Sequence, residues 1–109
     1  MFKRKFRLPK GVKFDNNRLI STSFFTIKTK ENGLFFNRFS TIVSKKIDKR
    51  AVVRNRIKRL ISSCIKELCD NLKQGYDMIV IAKIGAISMG RQEFCREINR
   101  GLKRAGFLN

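Results

Sequence analysis

The sequence predicts a single α+β domain in which extended segments precede a long helix. Segments 23–30 and 34–44 alternate apolar and polar residues, which is the period of a strand with one buried face. From residue 51 to residue 73 the apolar residues recur instead at helical spacing. The chain has 109 residues, which suits one domain over residues 1–109.

The first 22 residues are basic and predict little regular structure. Pro9, Gly11 and the pair Asn16-Asn17 interrupt this stretch, because these residue types favour turns over helix interiors. We expect at most one helical turn, around residues 12–16. An N-terminal helix is therefore short or absent.

The first predicted strand, residues 23–30, has Phe25 and Ile27 on one face. Asn32-Gly33 follows and is typical of a tight turn, because both residues tolerate positive φ. The extended pattern then resumes, and one of its faces carries Phe39, Thr41 and Val43. Both segments thus offer an apolar face to a core.

A basic loop over residues 45–50 leads into the long helix, and Asp48 is a candidate cap at its start. Gly75 predicts where this helix ends. The apolar stripe of the helix consists of Val53, Ile57, Leu60, Ile61, Cys64, Ile65, Leu68 and Leu72.

The rest of the chain predicts one more strand and one more helix. Residues 76–83 have a continuous apolar centre, typical of a central strand covered on both faces. Ser88 is a candidate cap for a helix over residues 91–103, and Gly106 suggests its end. The inner face of that helix carries Phe94, Ile98 and Leu102.

The charge of the chain predicts a polyanionic partner. Lys and Arg number 26 against 8 Asp and Glu, a formal charge of +18. Solubility needs a magnitude of only about 2–8 in a small domain, and the excess costs stability by self-repulsion. RNA, DNA and an anionic membrane all fit this charge. No apolar run approaches the ~20 residues of a membrane span, and no secretory signal is evident, so we expect a cytoplasmic protein.

Several kinds of catalytic and metal site are not expected. The chain has no histidine, so no Ser-His or Cys-His pair exists. Its three cysteines form no CxxC pair, so we expect no zinc site and interpret Cys64 and Cys95 as reduced thiols in helix packing. No clustering that a two-metal nuclease would need is evident among Asp48, Glu67, Asp70, Asp77, Glu93 and Glu97. An enzyme acting alone is therefore disfavoured.

The long helix predicts a phosphate-binding surface. At about 100° per residue, Asn55 and Arg59 lie opposite the apolar stripe. Arginine can hold a phosphate through two hydrogen bonds, and an asparagine amide both donates and accepts. The flanking positions of this face are Arg54 and Lys58 at one edge and Arg56 at the other.

Two simpler interpretations of this helix remain weaker. An ordinary solvated face would carry acidic partners one turn away, yet only Asp48 lies within residues 44–61 and the next acid is Glu67. A membrane-surface helix would not need to pack inside a fold, whereas a buried type of strand follows here.

The aromatic residues favour RNA over DNA. The chain has ten Phe and one Tyr, and an exposed aromatic beside a basic helix can stack on unpaired bases. By alternation, Phe25 and Phe39 are expected in the core. The candidates for a stacking surface are Phe14, Phe24 and one of Phe35 and Phe36.

Residues 54–60, Arg-Asn-Arg-Ile-Lys-Arg-Leu, preceded by Val-Ser-Lys-Lys at 43–46, resemble the signature of the bacterial ribonuclease P protein subunit. The order of elements is similar over residues 7–104. The resemblance implies an α/β sandwich of order α-β-β-β-α-β-α. It also implies a left-handed βαβ crossover, against the usual right-handed rule.

This resemblance implies an RNA-binding subunit that joins ribonuclease P RNA and assists endonucleolytic removal of the 5′ leader from precursor tRNA. The protein would be a monomer in a 1:1 ribonucleoprotein. Catalysis would reside in the RNA with its Mg²⁺, and the protein would bind no cofactor and show no activity alone. A general basic RNA-binding or ribosome-associated protein without a nuclease role is the alternative.

The resemblance also implies site residues. The expected RNA contacts are Lys45, Lys46, Arg50, Arg54, Asn55, Arg56, Lys58 and Arg59. The aromatics expected to line a cleft for the single-stranded leader are Phe14, Phe24 and Phe25. The chain departs from the family at Ser62, where another arginine is common, and in its interrupted N-terminal segment.

Overall fold

Four strands and two long helices build the part of the chain that the computed structural model describes, residues 7–9 and 18–108. The strands are β1 (Arg18–Ser21), β2 (Phe25–Glu31), β3 (Arg38–Ile42) and β4 (Tyr76–Ala82), and the helices are α1 (Ala51–Leu68) and α2 (Arg91–Arg104). Short 3₁₀ turns at Cys69–Asn71 and Ile84–Ala86 precede and follow β4. The α+β class is confirmed. The predicted N-terminal turn and Phe14 lie outside the described residues.

The strands form one sheet in the order β1-β2-β4-β3. β4 lies between β2 and β3, antiparallel to the first and parallel to the second. The prediction of a central strand there is confirmed. Because β3 and β4 are parallel neighbours, α1 makes the crossover between them. Its left-handedness stays a prediction from the resemblance.

Both helices contribute to one hydrophobic core against the sheet. The apolar stripe of α1 buries Ile57, Ile61 and Ile65, as its spacing predicts. The inner face of α2 is also the predicted one, with Phe94, Ile98 and Leu102 buried. The sheet supplies Phe25, Ile27, Phe39, Met78, Val80 and Ala82 to the same core. The backs of both helices are therefore fixed, and their outer faces are left for function.

Two boundaries differ from the predicted ones. The residue pattern did not predict β1, because no apolar alternation marks it and only its third residue, Ile20, is partly buried. Pairing with β2 makes it a strand, and with it three strands precede α1, as the family order implies. α1 ends at Leu68, not at residue 73. Gly75 instead serves the turn before β4, with φ of 91°.

The caps are also partly corrected. The N-cap of α1 is Arg50, and Asp48 acts just before it by accepting the Arg50 N–H at Oδ1 over 2.8 Å. α2 begins after Gly90, so the prediction that Ser88 caps it is wrong. Gly106, with φ of 86°, follows the end of α2 as expected.

Cys64 of α1 and Cys95 of α2 form a disulfide, with their Cα atoms 5.1 Å apart. The prediction that they lie in helix packing is confirmed, but the prediction that both are reduced is wrong. The physical reason is that the two helices meet where these side chains face each other, which spacing along the chain does not reveal. Cys69 is the free thiol, and burial raises its pKa.

Candidate RNA interface

The outer face of α1 presents an amide among cations. Asn55, Arg56 and Arg59 are exposed, and Lys58 is half-buried at the edge of this face. Beneath them Ile57 and Ile61 are buried, so the face is held on a fixed backbone. The predicted separation of a buried stripe from an exposed polar face is present.

Arg54 has a structural contact that sequence reasoning missed. Its Nη1 donates to the backbone oxygens of Asp48 at 3.0 Å and Lys49 at 2.7 Å. These carbonyls belong to the basic loop before α1, so Arg54 ties this loop to the helix. A guanidinium has five N–H donors, which leaves others for a phosphate.

The basic loop is folded around one carboxylate. The Asp48 carboxylate accepts hydrogen bonds from Arg50 Nε at 3.1 Å and from Arg50 Nη2 at 3.0 Å, in addition to the bond from the Arg50 backbone N–H. The side-chain and backbone hydrogen bonds from Arg50 lower the pKa of Asp48 to about 2. Lys45 and Lys46 are exposed in the same loop. The loop therefore has a defined conformation while its lysines face solvent.

Arg56 also bonds within the protein. Its Nη2 donates to the backbone oxygen of Ile87 at 3.3 Å, in the segment between β4 and α2. The side chain is exposed around this contact. Arg56 thus connects the outer face of α1 with a second segment of the chain.

A surface depression brings Arg7 next to the α1 face. Leu8 N donates to Phe39 O at 2.8 Å, which places this short N-terminal segment along the edge strand β3. Arg7, Lys58 and Ser62 line the depression together with Leu8, Phe39, Ser40 and Thr41. Ser62 is only 2% exposed. Sequence reasoning missed Arg7 as a site residue because only tertiary structure joins it to α1.

The three candidate cleft aromatics have different positions. Phe25 has no exposed surface and its ring centroid lies 5.8 Å from that of Phe94. Such a ring cannot stack on an RNA base, so the assignment of Phe25 to an open cleft is corrected to the core. Phe24 is half-buried and lies close over Gly85, where an added Cβ would be 3.0 Å from its ring. Phe14 is not described.

Between Phe35 and Phe36, the structure selects one as the exposed ring. Phe35 is 99% exposed, and Phe36 is half-buried. Both lie in the loop between β2 and β3.

Within residues 7–9 and 18–108, no three Cys, Asp or Glu side chains are grouped so as to hold a metal ion. Neither of the long helices in that part of the chain is both long and apolar enough to cross a membrane.

Known proteins resemble this chain over most of its length. The ribonuclease P protein component of Microcystis aeruginosa is 40% identical over 73 residues, which are 67% of this chain and 61% of that relative. The chain thus matches about three fifths of the length of that relative. The component from Geobacillus thermodenitrificans is 34% identical over 113 residues, covering 97% of this chain and 91% of its own.

Solved structures resemble the fold closely. The Staphylococcus aureus RNase P protein superposes with a TM-score of 0.84 at 28% identity, covering 95% of this chain and 98% of that one. A mutant of the S. aureus protein described as defective in mRNA degradation activity gives 0.87 at 27%, covering 96% and 92%. The Thermotoga maritima protein gives 0.75 at 19%, covering 82% and 84%, which supports the fold alone. The family model for ribonuclease P matches residues 2–106, and the chain therefore belongs to the ribonuclease P protein family.

Proposed function

We propose that this protein is the RNA-binding subunit of ribonuclease P, which assists a catalytic RNA in removing the 5′ leader from precursor tRNA. The observation that carries the proposal is the outer face of α1, where Asn55 and Arg59 are exposed above the buried Ile57 and Ile61. Family membership over residues 2–106 supports the same conclusion.

The side chains of the interface have distinct roles in this proposal. Arg56 and Arg59 hold phosphates through their planar guanidinium groups, while Lys45, Lys46 and Lys58 act as mobile point charges. Asn55 donates to and accepts from a sugar or a base. Arg54 and Arg50 keep the basic loop folded by their bonds to it, and their remaining N–H groups face the RNA.

The leader passes beside this face. The depression between β3 and α1 has Arg7 and Lys58 on its lining, and two cations suit the backbone of a single strand. Phe24, in the turn between β1 and β2, is a candidate contact for a leader base. Hydrolysis belongs to the RNA subunit with its Mg²⁺, and the protein supplies binding and orientation.

Reconstitution tests the proposal. Precursor tRNA is incubated with the protein alone, with ribonuclease P RNA alone and with both, at a Mg²⁺ concentration too low for the RNA alone. We expect efficient 5′ cleavage only in the mixture. Binding of both RNAs without any gain in cleavage would favour a general RNA-binding protein instead.

An mRNA substrate belongs in the same experiment, because mRNA degradation activity is ascribed to the S. aureus protein. We expect no cleavage of the mRNA by the protein alone.

We further propose that one copy of the protein joins one RNA subunit in the cytoplasm. The mass of the reconstituted complex tests this stoichiometry.

A further inference from the structure

Phe35 is an exposed aromatic ring with no role in the core. It is 99% exposed, more than any other large apolar side chain among the described residues. It lies in the loop of residues 32–37, called the Phe35 loop below, which joins β2 to β3. Burial of apolar surface drives folding, so a ring left in water contributes nothing to this fold. The whole ring is therefore available for contact with another molecule.

The first half of the Phe35 loop is held by Asn32. The Asn32 side chain accepts the Leu34 N–H at 2.8 Å, and its Nδ2 donates to Phe36 O at 3.2 Å and to Asp77 Oδ1 at 2.9 Å. The Asn32 backbone N–H also donates to Gly75 O at 2.9 Å. These bonds close the loop on both sides of Phe35.

The second half of the loop is held by Asn37, which is only 3% exposed. Its Nδ2 donates to Lys73 O at 2.9 Å, and its Oδ1 accepts the Tyr76 N–H at 2.9 Å. Phe35 is therefore presented on a backbone that is fixed from both ends before any partner binds. A ring on a loose loop would lose conformational entropy when a partner binds. Because the Phe35 loop is already ordered, this entropy cost is smaller.

The charge of the chain and the exposure of the Phe35 ring indicate the partner. At a formal charge of +18 the protein attracts RNA, and an aromatic ring gains affinity by stacking on an unpaired base. A ring exposed on all sides offers no groups that read a base edge, so it accepts any base. That property suits the leaders of different precursor tRNAs, which vary in sequence, better than one fixed RNA subunit.

We propose that Phe35 is a stacking platform for an unpaired base of the 5′ leader, and that the cleavage site lies toward the basic loop at the other end of β3. This inference rests on the proposed function. The Phe35 loop precedes β3, and the basic loop with Lys45 and Lys46 follows it, so the two lie at opposite ends of the sheet. The five residues of β3 separate them by about 16 Å. A long leader reaches Phe35, and a leader cut back close to the cleavage site does not.

Tryptophan fluorescence tests the contact, because the chain has no Trp of its own. Phe35→Trp introduces a single reporter whose emission is quenched when a base stacks on it. We expect quenching of the reconstituted holoenzyme by precursor tRNA with a long leader, whatever the bases in that leader, and none by precursor with a short leader or by mature tRNA. Leu19→Trp, at a position 60% exposed on β1, is the control, and the same RNAs should leave its emission unchanged.

Kinetics give a second readout. Phe35→Ala is expected to raise KM about tenfold for the long-leader precursor, the factor that loss of one stacked base of ~1.4 kcal/mol produces, and to leave the short-leader precursor unchanged. Phe35→Tyr should retain the wild-type KM, since its ring still stacks.

Equal quenching by both precursors, quenching by the RNA subunit alone, or an unchanged KM for Phe35→Ala would overturn the proposal. These failures are distinct from failure of the proposed function. If wild-type protein still stimulates cleavage by the RNA subunit while substitution of Phe35 changes neither quenching nor KM, only the stacking proposal is refuted. If wild-type protein gives no stimulation, the proposed function falls as well.

Discussion

Arg38 of β3 binds Asp77 of β4 through two parallel hydrogen bonds, from Nε to Oδ1 at 2.8 Å and from Nη2 to Oδ2 at 2.7 Å. The Asp77 side chain is fully buried, and Asn32 donates to the same Oδ1 at 2.9 Å. Burial opposes ionisation of this carboxyl, but the hydrogen bonds from Arg38 and Asn32 outweigh it and lower the pKa of Asp77. One carboxylate thus joins β3, β4 and the Phe35 loop.

Removing the Asp77 carboxylate should be strongly destabilising. Asp77→Ala leaves the Arg38 guanidinium, whose side chain is 22% exposed, without its counter-ion. Breaking a buried pair in this way typically costs about 3–5 kcal/mol. We expect the free energy of unfolding, measured with denaturant, to fall by that amount. Arg50→Ala removes an exposed pair and is the control, because solvent screens such a pair and its loss should lower the free energy of unfolding far less.

The stability of the protein should decline in acid. The pKa of Asp77 is lower in the folded protein than the value of about 3.9 for an unfolded chain. A group of this kind contributes stability above its unfolded pKa and loses it as the pH falls through its folded pKa. The free energy of unfolding should therefore be steady near neutral pH and drop below about pH 4.

Asp77→Asn separates this effect from that of the other carboxyls. The variant lacks the titrating group, so its stability should be lower at neutral pH and should fall less steeply toward acid. Denaturant unfolding at several pH values measures both slopes. Equal slopes in the two proteins would show that Asp77 does not carry the acid sensitivity.

The disulfide between Cys64 and Cys95 predicts a redox-dependent stability. The two cysteines are 31 residues apart, and closing a loop of that size in the unfolded chain stabilises the folded state by about 2–4 kcal/mol. Adding a reductant should lower the free energy of unfolding by that amount. Cys69→Ser should respond to reductant as the wild type does, whereas Cys95→Ser should be insensitive to it. A wild type that does not respond would mean that the bond does not form in solution.

The sequence predicted best those elements whose own pattern determines them. α1 carries a helical apolar spacing over 18 residues, and α2 repeats it at Phe94, Ile98 and Leu102, so packing follows directly from the pattern. The central position of β4 followed from its continuous apolar centre. In each case the signal is local and repeats several times.

What the sequence did not predict depends on contacts between distant residues. β1 is four residues long with little burial, and its pairing partner makes it a strand. The proximity of Arg7 to Lys58 and the bond between Cys64 and Cys95 also require the assembled fold. The side chain of Arg54 was expected to face RNA only, because a helical wheel shows direction but not the carbonyls that a neighbouring loop brings within reach.

The central claim is that the outer face of α1 engages RNA as a specific surface and not as bulk charge. The double variant Lys58→Ala with Arg59→Ala tests it against Lys103→Ala with Arg104→Ala, which removes the same charges from the exposed end of α2. Loss of two phosphate contacts weakens binding and reduces its salt dependence, and each charged hydrogen bond is worth about 1.5–3 kcal/mol.

The most direct measurement is the rate of precursor tRNA cleavage by ribonuclease P RNA at limiting concentrations of each protein. The account predicts that the wild type and the α2 variant stimulate cleavage to a similar extent, while the α1 variant needs at least tenfold more protein for the same rate. Equal stimulation by the two double variants would contradict the account.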